Sequence, residues 1–72
     1  MSKDEQMIVA GEVVECLPGT LFRIKIGDLP HLVVAHLSGR MRKNKIRVLL
    51  GDRIEMEMSP YDLTKGRIVK RF

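Results

Sequence analysis

Two short runs constrain this chain more than anything else in it: "LFRIKI" at residues 21–26 and "DRIEMEM" at residues 52–58. In the first, Phe22, Ile24 and Ile26 alternate with Arg23 and Lys25. In the second, Ile54, Met56 and Met58 alternate with Arg53, Glu55 and Glu57. Successive side chains of a strand point to opposite faces, so a period of two describes strands with one buried and one wet face. A helix needs an apolar period near 3.6 and cannot use this pattern. Three more runs are read as strands from their Val and Ile content: "MIVAGEVVECL" (Met7–Leu17), "HLVVAHL" (His31–Leu37) and "RIVKRF" (Arg67–Phe72). Gly11 inside the first suggests a bulge or bend. "PGT", "GDLP" and the "SPYDLTKG" loop, with their Pro and Gly residues, separate the strands.

Five strands in 72 residues leave room for one small barrel. The expected organisation is a flexible polar tail, "MSKDEQ" at residues 1–6, followed by a single domain over residues 7–72. A hydrophobic fraction of 44% against 31% charged residues is that of a globular chain. No apolar run reaches the roughly 18 residues of a membrane span, and the acidic start is unlike a targeting peptide. One cysteine, Cys16, excludes an internal disulfide and suits a reducing compartment, so a cytoplasmic protein is expected.

One stretch breaks the strand pattern. "SGRMRKNKIRVLLGD" (residues 38–52) packs Arg40, Arg42, Lys43, Lys45 and Arg47 into eight positions, with no acid before Asp52. On a helical wheel Met41 and Ile46 diverge, which leaves no apolar stripe for a full amphipathic helix. A single helical turn capped by Ser38, followed by an extended "IRVLL" with Ile46, Val48 and Leu50 on one side, fits better. Met41, between arginines, is expected to be exposed. Residues 38–45 are expected to have little packing of their own and to order only on a partner. An insertion between the third and fourth strands favours an all-β, five-stranded OB-fold barrel with a short helical turn; an SH3-like barrel is the competing architecture.

Charge narrows the partner. Residues 1–37 hold three Lys/Arg against five Asp/Glu, and residues 38–72 hold ten against four. A basic half steers a protein toward polyanions, and clustered cations without acids cost stability unless a partner uses them. The cluster offers only Met41 and Ile46 as apolar anchors, too few for a membrane-gripping segment. No nucleophile–base arrangement, glycine-rich phosphate loop or metal-ligand cluster can be read. His31 and His36 are five apart on one expected strand, hence on opposite faces, and are read as ordinary surface residues, although a protonated His36 could touch phosphate. Cys16 is expected in the core. Proteins that coat free single strands stack bases on exposed aromatics, and this chain has Phe22, Tyr61 and Phe72 alone, with Phe22 expected inside. Phosphate contacts to folded RNA are therefore favoured over base stacking. A general single-stranded RNA chaperone of the OB or cold-shock type, and an adaptor for an acidic protein, are the alternatives.

The ordered combination of His36, Ser38, Gly39, "MRKN" (Met41–Asn44), Ile46, Arg47, Gly51, Asp52, "PYDL" (Pro60–Leu63) and "KGRIV" (Lys65–Val69), with "LPGTLFRI" before it, resembles bacterial-type translation initiation factor one, an S1-like OB-fold family. The likeness runs from about Met7 to Arg71. It implies binding to the small ribosomal subunit at the aminoacyl-tRNA site, against 16S-type rRNA of the decoding centre and a neighbouring ribosomal protein. It also implies cooperation with the second and third initiation factors, as a monomer, with no catalysis, cofactor or membrane. Carried onto this chain, the rRNA-facing candidates are His36, Arg40, Met41, Arg42, Lys43, Asn44, Arg47, Lys65, Arg67 and Arg71. Lys45 joins them: the family often has an aromatic residue there, and a phosphate contact replaces stacking. "GDLP" replaces a common asparagine-glycine turn, and basic residues often follow position 72, so contacts from such a tail are not expected here.

Overall fold

The computed structural model describes residues 6–72; the tail expected at residues 1–6 lies, apart from Gln6, outside the described residues. Five strands and one short helix follow in order: β1 (Met7–Leu17), β2 (Leu21–Lys25), β3 (Val33–Leu37), α1 (Gly39–Lys43), β4 (Arg53–Ser59) and β5 (Asp62–Arg71). The strands close into a barrel in the order β1-β2-β3-β5-β4, all pairs antiparallel except β3 with β5. A parallel pair cannot be joined by a hairpin, so the chain crosses the end of the barrel through α1 and residues 44–52 before β4. This is the five-stranded OB fold with its helix between the third and fourth strands.

The alternation does what the sequence pattern predicts. Phe22 and Ile24 of β2, and Ile54, Met56 and Met58 of β4, enter a core shared with Val13, Val33, Ala35, Leu37 and Ile68. Full burial of side chains of this size contributes about 1.5–3 kcal/mol each, the main stabilisation available to so small a barrel.

Several expectations need correction. Gly11 is no bulge: it pairs in register with Ile54, and the shift in β1 falls between Val13 and Glu15. Gly11 is required because its inward face has no space. A Cβ there would lie 2.5 Å from Ile24 Cγ2 and 3.0 Å from the Lys25 carbonyl oxygen. Cys16 is exposed. It pairs with Phe22 and shares its face, but β4 flanks β1 only as far as Glu12, so the end of the β1–β2 hairpin projects past the barrel, where no other strand of the described residues covers it. The third strand begins at Val33. His31 stands before it, its Nε2–H donating to the Leu63 carbonyl at 2.9 Å.

The expected loop at residues 59–66 is mostly strand. Pro60 and Tyr61 make a tight turn, and β5 starts at Asp62. Ser59 Oγ accepts from the Tyr61 amide at 3.1 Å, and Asp62 Oδ1 accepts from the Thr64 amide at 3.0 Å and from its hydroxyl at 2.5 Å. These short polar side chains satisfy the turn locally. The hydroxyl bond above all, then the amide bond and the Lys65 charge, hold the Asp62 carboxyl below its ordinary range.

Candidate nucleic-acid interface

The helical turn forms where Ser38 places it. Ser38 has extended backbone angles, its Oγ accepts from the Met41 amide at 3.3 Å, and its own amide donates to the Ile68 carbonyl at 2.9 Å. The cap therefore starts the helix and ties it to β5. At the other end the Lys45 amide donates to the Arg42 carbonyl at 3.1 Å, and the Ile46 amide to the Met41 carbonyl at 3.0 Å. With Lys45 at φ 56°, this is the double closure of a Schellman motif, its left-handed position held by lysine where glycine is favoured.

Met41 overturns the expectation of an exposed, loosely packed segment. It is 1% exposed and belongs to the barrel core. A single apolar residue among cations gives no periodic signal, yet one turn of helix needs only one anchor to sit on the barrel mouth. That burial also removes Met41 as a surface contact in this structure. The extended "IRVLL" is likewise corrected: residues 46–52 form no strand, Val48 alone is buried, and Leu50 is 65% exposed.

Anchoring Met41 turns its neighbours outward. Arg40, Arg42, Lys43, Asn44, Lys45 and Arg47 are all exposed. Strand pairing adds the rest. His36 of β3 lies between Leu21 of β2 and Arg67 of β5, and Lys65 pairs with Val34. His36, Lys65, Leu21 and Val34 border a shallow, mainly apolar hollow of about 430 Å³, so cations and an apolar floor share one face. A ribose or base can rest on such a floor while the rim meets phosphate.

The candidates are not equivalent. Among the described residues, Arg40, Arg42, Lys43, Lys45, Arg47 and Lys65 form no ion pair, whereas Arg67 pairs with Glu57 across β4 and β5. Arg71 serves the fold. Its Nη1 donates to the Arg47 carbonyl at 2.7 Å, and its Nε lies 3.9 Å from Asp52 Oδ2. A register shift between Glu55 and Met56 explains this: it pairs Arg71 with buried Ile54 at the barrel end and Lys70 with outward Glu55. Simple alternation would turn Lys70 inward with Ile68, and the sequence reading did not include it among the candidates. Lys70 in fact lines, with Asn44, Lys45, Arg47 and Arg71, a cleft of about 500 Å³ between the α1–β4 connection and β5. Four cations bordering one cleft make it a natural seat for phosphate oxygens.

The chain is similar to known proteins in sequence and in fold. The family model for translation initiation factor 1A / IF-1 matches residues 1–72. The solution structure of translation initiation factor one from the Wolbachia endosymbiont strain TRS of Brugia malayi is 42% identical, with a TM-score of 0.77, over all of this chain and 88% of the other. The crystal structure of YjeQ from Thermotoga maritima is similar at a TM-score of 0.72, but at 20% identity and over 92% of this chain and 23% of that protein. At that identity the likeness is one of fold alone.

Proposed function

The chain belongs to the translation initiation factor 1A / IF-1 family, and from that premise we propose that it binds the small ribosomal subunit at the aminoacyl-tRNA site, through 16S-type rRNA of the decoding centre and a neighbouring ribosomal protein. In this reading it works in the cytoplasm as a monomer that assists the second and third initiation factors, and it carries out no chemistry itself.

One observation supports this reading above the rest. A rigidly seated turn of helix carries cations that the described part of the chain does not neutralise. A surface loop that merely needed solubility would intersperse acids among them. Here the backbone that carries the free cations is tied to β5 and to the core, which suits one preformed array of phosphates better than a mobile strand. Recognition then rests on RNA shape and backbone charge, with Arg40, Arg42, Lys43, Lys45, Arg47 and Lys65 as direct contacts. Asn44 can serve a sugar or base edge. Arg67 reaches RNA from its pair with Glu57, while Arg71 holds the Arg47 backbone in place.

Sedimentation with purified small subunits, large subunits and free RNA separates this reading from its rivals. The expected result is stoichiometric co-sedimentation with small subunits alone. Equal binding to unstructured RNA would establish the general RNA chaperone instead, and retention by an acidic protein in the absence of RNA would establish the adaptor.

A further inference from the structure

A second concave site lies elsewhere on the barrel. β1 is flanked by β2 and β4, so its outer face is across the barrel from β3 and β5, where His36 and Lys65 stand. There a cavity of about 530 Å³ is bordered by Glu12, Lys25, Arg53 and Phe72 over glycine backbone at Gly11 and Gly27. That volume is within the usual range for small-molecule sites.

Its composition points to a ligand. Glu12 is the register partner of both Lys25 and Arg53, yet among the described residues none of the three joins an ion pair. Two cations and one carboxylate are thus left to face the cavity. Phe72 is 61% exposed, but it is placed: its amide donates to the Arg53 carbonyl at 3.0 Å, and the Lys70 ammonium sits 5.2 Å from the ring centroid. A flat ring, a guanidinium, an ammonium and one acceptor are together the groups that hold a base, its phosphate and an exocyclic amine or ribose hydroxyl.

We propose that this cavity is a nucleotide-binding site, with the base stacked on Phe72, the phosphate held by Arg53 and Lys25, and Glu12 accepting a hydrogen bond from the base or sugar. The nucleotide can be free or part of a single strand. The site stands apart from the residues assigned to subunit docking, and its failure would leave that assignment untouched.

The test is an amide chemical-shift titration of the full chain with adenosine 5′-monophosphate and with tetra-adenylate, on the wild type and on Phe72→Leu. The expected result is movement of the Gly11, Gly27, Arg53 and Phe72 amides. In Phe72→Leu affinity at this site should be weaker by at least about fivefold, the loss expected for one stacked base, while shifts at residues 40–45 are unchanged. Tighter binding of tetra-adenylate than of the mononucleotide identifies a strand as the ligand, and equal binding identifies a free nucleotide. Shifts confined to residues 36–47 and 65–71 would overturn the proposal. So would movement of Gly27 and Arg53 by hexaglutamate but by neither nucleotide, which would mark a peptide site.

Discussion

Met41 and Gly11 show how much rests on single side chains in a barrel this small. Met41 is the buried anchor of α1, so Met41→Ala should remove about 2–4 kcal/mol of stability through lost packing and the cavity left behind. A lowered urea midpoint with an unchanged slope is the expected record. Gly11→Ala acts in the opposite sense, forcing a methyl group against Ile24 and the Lys25 carbonyl, at a cost of roughly 1–3 kcal/mol. Cys16→Ser, on the uncovered hairpin end, should change stability by under about 0.5 kcal/mol. A loss as large as that of Met41→Ala would show that the thiol is buried after all. None of the three follows from hydrophobicity alone. Met41 is flanked by arginines, Cys16 sits in an apolar run, and a glycine in a strand reads as a bulge until its neighbours are known.

The five strands were legible because alternation reports directly which face is buried. Their limits were legible only where a strong turn residue stood at the boundary, as at Pro18 and Gly19. "DLTKG" reads as loop because it is polar and ends in glycine, yet it opens β5, where Gly66 fits closely: a Cβ there would come within 2.8 Å of Met56 Sδ. The same limit bears on Lys70 and Arg71, since a register shift inverts the face of every residue beyond it. Two predictions belong at this scale. Asp62 has a depressed pKa in the folded chain, so its contribution to stability is present above the unfolded value of about 3.9 and is lost as pH falls through the folded value. The stability gap between wild type and Asp62→Ala should accordingly hold steady from pH 7 to about pH 4 and close below it. A gap that does not narrow at all as pH falls below about 4 would mean the carboxylate bonds are not its source. The left-handed Lys45 gives the second. Lys45→Gly should raise stability by up to about 1 kcal/mol through relief at the helix terminus, while weakening subunit binding through loss of a cation. Parallel thermal and binding measurements would separate the two effects, and a destabilised variant would contradict the capping geometry.

At the scale of the whole molecule, barrel and charge divide the work. The barrel fixes one turn of helix and two strands, and the unneutralised cations on them remain available because their fold-stabilising neighbours, Arg67 with Glu57 and Arg71 with Asp52, have carboxylates of their own. The central claim is that this edge meets the phosphates of ribosomal RNA, and the salt dependence of binding to purified small subunits tests it most directly. Six free cations on phosphate give a log–log slope of roughly −4 to −5. Replacing Arg42 and Lys43 with alanine, both exposed and outside the core, should leave the fold intact and make the slope shallower by about 1.5, at roughly 0.7–0.9 for each lost contact. Parallel salt plots for the wild type and the double variant would contradict the account, because binding would then draw on something other than these charges.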